Sequence, residues 1–112
     1  MELIEEAGLK EWYINLEKGL DEKVGQKGMK LSAGQQQRLN IIRAILLDSD
    51  FYFFDEPTSN LDSESEEKIV NMIDKYLSDK SIIIVSHRDK IKKICNKEYI
   101  FEDHIMKPLD SV

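Results

Sequence analysis

The chain has 112 residues, 41% of them apolar and 34% charged, with a formal charge of −6. That length gives one small globular domain with a modest core, and the acidic balance argues against a nucleic-acid footprint, which needs a basic patch. A single cysteine, Cys95, excludes an internal disulfide and fits a reducing compartment, and no apolar run approaches the roughly 20 residues of a membrane helix.

The first stretch, Met1-Glu2-Leu3-Ile4-Glu5-Glu6, is acidic and lacks a signal-peptide pattern. If the protein works at a membrane, another segment or chain does the spanning. Glu2 to Ala7 and Leu9 to Leu16 read as two short helical pieces hinged near Gly8, the second with Leu9, Trp12, Tyr13 and Leu16 at helical spacing. Trp12 reads as a core or interface anchor. Glu17 to Lys30 is a polar loop carrying Gly19, Gly25 and Gly28.

A helix is expected over Ala33 to Leu47, with Leu39, Ile42, Ile45 and Leu46 as its apolar face and Ile41 broadening it. Arg38 and Arg43 interrupt that face, and they either pair with acids or reach the surface. Ser32 followed by Gln35 makes a Ser-x-x-Gln capping box at its start. The first N–H groups of a helix lack internal partners and carry partial positive charge. Small residues at Ala33 and Gly34 let a ligand come close, so this terminus is either an ordinary cap or an anion site.

Phe51 to Phe54 is a short aromatic run bounded by Asp48-Ser49-Asp50 and Pro57, which suits a strand buried on both faces. Asp55 and Glu56 close it. In open α/β sheets ligands bind beyond the carboxyl ends of the strands. There one carboxylate can hold Mg²⁺, directly or through water, and its neighbour can polarise an attacking water; the plainer reading is two solvated acids.

Pro57 turns the chain away from helical geometry at Glu56. Ser63 and Glu66 form a second capping-box pattern, opening a helix from about Glu64 to Leu77 with Ile69, Ile73, Tyr76 and Leu77 on one face. A strand follows at Ser81 to Val85, then a short helix at Asp89 to Asn96 with Ile91, Ile94 and Cys95 inward. Cys95 reads as small packing. Tyr99 to Phe101 forms a strand, Glu102-Asp103-His104 its turn, and Ile105-Met106 begins a return strand before a fraying tail.

Several of these pieces, in order, resemble the nucleotide-binding domain of ABC transporters. Leu31-Ser32-Ala33-Gly34-Gln35 resembles the signature motif, with Ala33 where glycine is usual. Phe51-Tyr52-Phe53-Phe54-Asp55-Glu56 resembles Walker B, Ser59-Asn60-Leu61-Asp62 the D-loop, and Ser86-His87-Arg88 the switch-histidine motif. Glu22-Lys23-Val24-Gly25-Gln26-Lys27-Gly28 resembles the X-loop of exporters, though the usual form is more acidic and ends in Glu-Arg-Gly.

The resemblance implies an α/β fold: a partial P-loop NTPase core of mostly parallel strands flanked by helices. Residues 1–47 would be a remnant of the helical subdomain and 48–112 the C-terminal part of the catalytic core. It implies an ATPase powering export, with Asp55 assisting Mg²⁺, Glu56 as general base, and His87 contacting the γ-phosphate and linking Glu56 to the D-loop. Ser32, Ala33, Gly34 and Gln35 would contact ATP bound to an opposing subunit, and Asp62 would report across that interface. The implied partners are a second nucleotide-binding domain, packed head-to-tail, and a transmembrane domain, at the cytoplasmic face of the cell membrane; no nucleic acid is expected. The alternatives are a soluble ABC ATPase acting on ribosomes or DNA, and a non-catalytic interaction module.

No Gly-x-x-x-x-Gly-Lys-Ser/Thr occurs in the sequence. That loop supplies the backbone cradle and lysine for the phosphates, so the 112 residues alone are expected to be inactive. The resemblance covers nearly all of them but only about the C-terminal half of the family's domain. Apolar strand faces short of neighbours, marginal stability and self-association are therefore expected.

Overall fold

A computed structural model describes residues 2–15 and 31–108. The X-loop-like segment, Glu22 to Gly28, lies outside the described residues. Helices α1 (Glu2–Glu6) and α2 (Lys10–Ile14) flank a turn in which Gly8 takes φ 78°, a value that favours glycine. The Arg38 guanidinium crosses to this turn and donates to the carbonyls of Gly8 (3.3 Å) and Ala7 (3.5 Å), satisfying groups at the end of α1. Glu6 accepts a hydrogen bond from the Tyr76 hydroxyl and pairs with Lys75 at 3.2 Å, fastening α1 to the later helix α4. The Tyr76 hydroxyl, and then Lys75, hold the Glu6 carboxyl below its usual range.

Helix α3 spans Ala33–Leu47, the predicted range. It ends at Asp48, in left-handed conformation, whose carboxylate meets Lys80 at 3.0 Å. Ile41 and Ile42 are buried, with Leu39 and Ile45 packed beside them. Leu46, expected on the inner face, is exposed along with Leu47.

Strand β1 (Phe51–Asp55), helix α4 (Ser63–Leu77) and strand β2 (Ser81–Val85) form a β-α-β unit with the two strands parallel, Phe51 opposite Ser81 and Asp55 opposite Val85. The faces of this sheet differ. Tyr52 and Phe54 stack inward with ring centroids 5.8 Å apart, and the Tyr52 hydroxyl donates to the Ala44 carbonyl at 2.8 Å. Phe51, Phe53, Ile83 and Val85 stand exposed on the other face. The expectation of burial on both faces is corrected: one face of β1 is covered, and no described residue packs over the other.

The core gathers Ile4, Ala7 and Leu9 from the N-terminal helices, Ile41 and Ile42 from α3, Tyr52 and Phe54 from β1, and Ile69, Val70, Met72, Ile73 and Leu77 from α4. Trp12 packs against it, as expected of an anchor, and its indole N–H has no partner among the described residues.

The start of α4 also departs from expectation. Its cap is Asp62, whose carboxylate accepts from the Ser65 N–H at 2.7 Å; Ser63 is already helical, and Glu66 is buried rather than reaching back to cap. The aspartate wins because its carboxylate, one residue earlier, meets the N-terminal N–H groups with a full negative charge. That bond, with the Ser65 side chain second, lowers the Asp62 pKa. A group with a lowered folded pKa gives stability that is present above its unfolded value and lost as pH falls through the folded one. Asp62→Asn keeps the cap but not the charge. It is expected to melt below the parent at pH 7, with the gap closing below the ordinary carboxylate range; a gap independent of pH in thermal melts would refute the assignment.

After β2, a 3-10 helix (Lys90–Ile94) buries Ile91 against the core and half-buries Ile94. Cys95, expected inward, is exposed, because the short helix stops at Ile94 and Cys95 is already extended. Strands β3 (Tyr99–Glu102) and β4 (Ile105–Pro108) form an antiparallel hairpin. Its two loop residues, Asp103 and His104, both have positive φ (50° and 62°), a type I′ turn built without glycine. Among the described residues no helix is long and apolar enough to cross a membrane.

Candidate functional site

The parallel register places the ends of β1 and β2 side by side, so the residues leaving them meet. Glu56 N–H donates to the Val85 carbonyl at 2.7 Å, extending the strand pairing by one residue. At that point Glu56 turns into left-handed conformation, φ 49°. For a residue with a long side chain this costs on the order of 1–3 kcal/mol and persists only where the surroundings enforce it. Its carboxylate lies 3.4 Å from the His87 Nε2. The His87 side chain is 94% exposed and that of Glu56 31%. A carboxylate and an imidazole thus face each other at an open sheet end. Asp55, next to Glu56, is the exposed last residue of β1.

The loop that follows is held from two sides. From α3, the Gln37 side-chain amide donates to the Glu56 carbonyl and to the Ser59 hydroxyl, each at 3.0 Å, while its oxygen accepts from the Asn60 N–H at 2.9 Å. From the segment after β2, the Arg88 guanidinium donates to the carbonyls of Leu61 (2.8 Å) and Ser59 (2.9 Å). It also lies 3.4 Å from Glu66, whose carboxylate is almost wholly buried. The other Glu66 oxygen accepts from the buried Thr58 hydroxyl at 2.8 Å.

The capping box at the start of α3 is complete. Gln35 N–H donates to the Ser32 hydroxyl and Ser32 N–H to the Gln35 side-chain oxygen, both at 3.0 Å. The cap therefore occupies the Ser32 and Gln35 side chains and leaves the Ala33 and Gly34 N–H groups at the positive end of a 15-residue helix. A Cβ on Gly34 would stand 3.2 Å from the Asn60 carbonyl oxygen and 3.3 Å from Leu61, tighter than ordinary contact. Gly34 thus allows the helix start to lie directly against the 59–62 loop.

The candidate residues fall into two groups. Glu56 and His87 pair at the strand ends with Asp55 beside them, and Ser32, Ala33, Gly34 and Gln35 form the start of α3, of which Gly34 lies against the loop that ends at the Asp62 cap. Gln37, Thr58, Glu66 and Arg88, which join the groups, were not found from the sequence. Arg88 stood next to His87 in a motif without a role of its own, and Glu66 read as a capping residue. Among the described residues, no cluster of three or more His, Cys, Asp or Glu side chains is placed to hold a metal ion. The exposed Asp55 carboxylate at the strand end is a hard oxygen donor, of the kind a cation takes when phosphate and water oxygens complete its shell.

Comparison with known proteins points the same way. Residues 3–59 match the family model described as ABC transporter. The chain is 39% identical over 99 residues to a Rickettsia prowazekii protein named as an export ATP-binding/permease protein, covering 88% of this chain and 17% of that one. It is 43% identical over 82 residues to an ATP-dependent lipid A-core flippase of Pseudomonas aeruginosa (73% of this chain, 14% of that one). It is 44% identical over 77 residues to the flippase of the same name from Vibrio parahaemolyticus (68% and 13%). The chain spans between about an eighth and a sixth of the length of these relatives. With its family match covering half of the residues and its motifs on a parallel strand pair, the chain belongs to the ABC transporter family, as part of its P-loop NTPase-type ATPase domain.

Proposed function

We propose that this chain supplies the C-terminal part of the ATP-hydrolysing domain of an exporter, with residues 1–47 from its helical subdomain and 48–112 from its catalytic core. The observation that carries the reading is the Glu56 carboxylate facing His87 at 3.4 Å beyond the ends of two parallel strands. The names of the relatives, export ATP-binding/permease protein and lipid A-core flippase, support export as the work being driven.

Hydrolysis of a γ-phosphate depends on positioning and charge neutralisation more than on covalent chemistry. Glu56 accepts the proton of the attacking water and orients it. His87, the more exposed of the pair, contacts the γ-phosphate and links Glu56 to the 59–62 loop. Asp55 would hold Mg²⁺, directly or through water; the ion supplies neutralisation of phosphate charge. Ser32, Ala33, Gly34 and Gln35 present a helix N-terminus to ATP on an opposing domain, where the Ala33 and Gly34 N–H groups meet phosphate oxygens. Asp62 follows the loop that lies against that helix start and reports on the same interface. The partners are then a second nucleotide-binding domain and a membrane-spanning domain, and the place of work is the cytoplasmic face of the membrane.

The sequence carries no lysine-bearing phosphate loop, so the 112 residues alone should neither bind ATP tightly nor turn it over. Calorimetric titration with MgATP, with phosphate release followed in parallel, tests this. No saturable binding in the micromolar range is expected from the 112 residues, whereas binding and hydrolysis are expected once the segment bearing that loop is joined to them. Turnover by the 112 residues alone, or none by the longer protein, overturns the reading.

A further inference from the structure

Arg88 bonds to neither the Glu56 nor the His87 side chain, yet its guanidinium engages three acceptors on two elements. It donates to the carbonyls of Ser59 and Leu61 and pairs with the buried Glu66 of α4. Its own N–H donates to the Ser86 hydroxyl at 3.0 Å, which fixes the backbone on either side of His87. Glu66 in turn takes the Thr58 hydroxyl, so both ends of the 58–61 loop are tied to one carboxylate–guanidinium pair. Opposite, Gln37 holds Glu56, Ser59 and Asn60. The planar guanidinium suits this task, since its fixed fork reaches two carbonyls and a carboxylate at once; a lysine offers a single charged point.

We propose that Arg88 is a positioning residue that locks His87 to the 59–62 loop, so that displacement of this loop by a partner domain is passed through the guanidinium to His87 and hence to its contact with Glu56. The inference rests on the ATPase reading above and deepens it. Gly34 lies against the same loop, so the loop is in contact with the surface proposed to meet the partner. Arg88 and His87 are consecutive residues on one short segment. The guanidinium thus ties the backbone next to His87 to that loop. The buried Glu66 charge makes the link two-ended, because a carboxylate held that far from water needs its cationic partner.

The test uses the intact ATP-binding protein with its partner domain and measures kcat and KM for ATP separately. Arg88→Ala is expected to lower kcat by about 10-fold to 100-fold, the effect of a small misplacement of a catalytic group, with KM for ATP little changed. Arg88→Lys restores charge but not the fork and is expected to recover only a minor share of kcat. Because Arg88→Ala strands a buried carboxylate, Arg88→Ala combined with Glu66→Leu removes both charges and protects the fold. The double variant should melt close to the parent and still show the low kcat. Recovery of kcat together with melting temperature in the double variant, or full rescue by lysine, would show that Arg88 serves folding alone and overturns the proposal. Glu56→Gln in the same series separates the two levels: a parent that hydrolyses ATP and a Glu56→Gln variant that hydrolyses it equally well would sink the site reading itself, whatever Arg88 does.

Discussion

Glu56→Gln in the intact ATP-binding protein is expected to reduce phosphate release by about 100-fold to 10,000-fold, the usual contribution of a positioned general base, while nucleotide affinity stays within about a factor of two. Glutamine keeps the volume of the side chain and its reach towards His87. It loses the negative charge and the ability to take a proton. The backbone should not respond, because the left-handed turn at residue 56 is held by main-chain contacts: its N–H to the Val85 carbonyl and its carbonyl to Gln37. The change therefore removes an interaction that matters in the transition state and little that matters to ground-state binding. Phosphate release and a nucleotide titration on the same preparation check both halves. Preserved turnover would remove Glu56 from the mechanism, and lost binding would mean that its carboxylate supports the nucleotide rather than the water.

Much of this arrangement was legible in the sequence because short-range chemistry dictates it. The Ser32–Gln35 pair specifies a capping box, and the structure forms it with both reciprocal bonds. Two apolar runs ending in Asp55-Glu56 and Val85-Ser86-His87 specify strands, and pairing them in parallel brings Glu56 to His87. The failures have physical causes too. A continuous aromatic run such as Phe51 to Phe54 reads as buried on both faces, but periodicity cannot say whether anything packs on each face, and here Phe51 and Phe53 remain exposed. Glu66 fits a Ser-x-x-Glu pattern, and only the tertiary approach of Arg88 and Thr58 makes burial of its carboxylate tolerable. Gln37 sits in an ordinary polar run of α3, and its amide matters solely because the 56–60 loop folds back beside it. The hairpin turn at Asp103-His104 lacks the glycine that marks such turns, so its left-handed residues carry no strong local signal.

A second large effect is expected in the buried core on α4. Ile69, on α4, is fully buried in the hydrophobic core. Ile69→Ala removes three methyl-sized groups from a fully buried site, and such truncations cost about 2–5 kcal/mol. Small domains have only about 5–15 kcal/mol in total, and this one leaves Phe51, Phe53, Ile83 and Val85 on an uncovered sheet face. The variant is therefore expected to lose its cooperative thermal transition. Phe53→Ser should behave in the opposite way. Phe53 is 60% exposed, so the substitution opens no cavity, and its cost is limited to strand preference, about 1 kcal/mol or less. It also removes a large part of the apolar patch through which copies of the chain can associate. Light scattering should show less association for Phe53→Ser than for the parent, with a melting curve that stays cooperative. If Ile69→Ala melts like the parent, the buried cluster on α4 is not what holds the chain together. If Phe53→Ser associates as strongly as the parent, the exposed sheet face is not the surface that drives association.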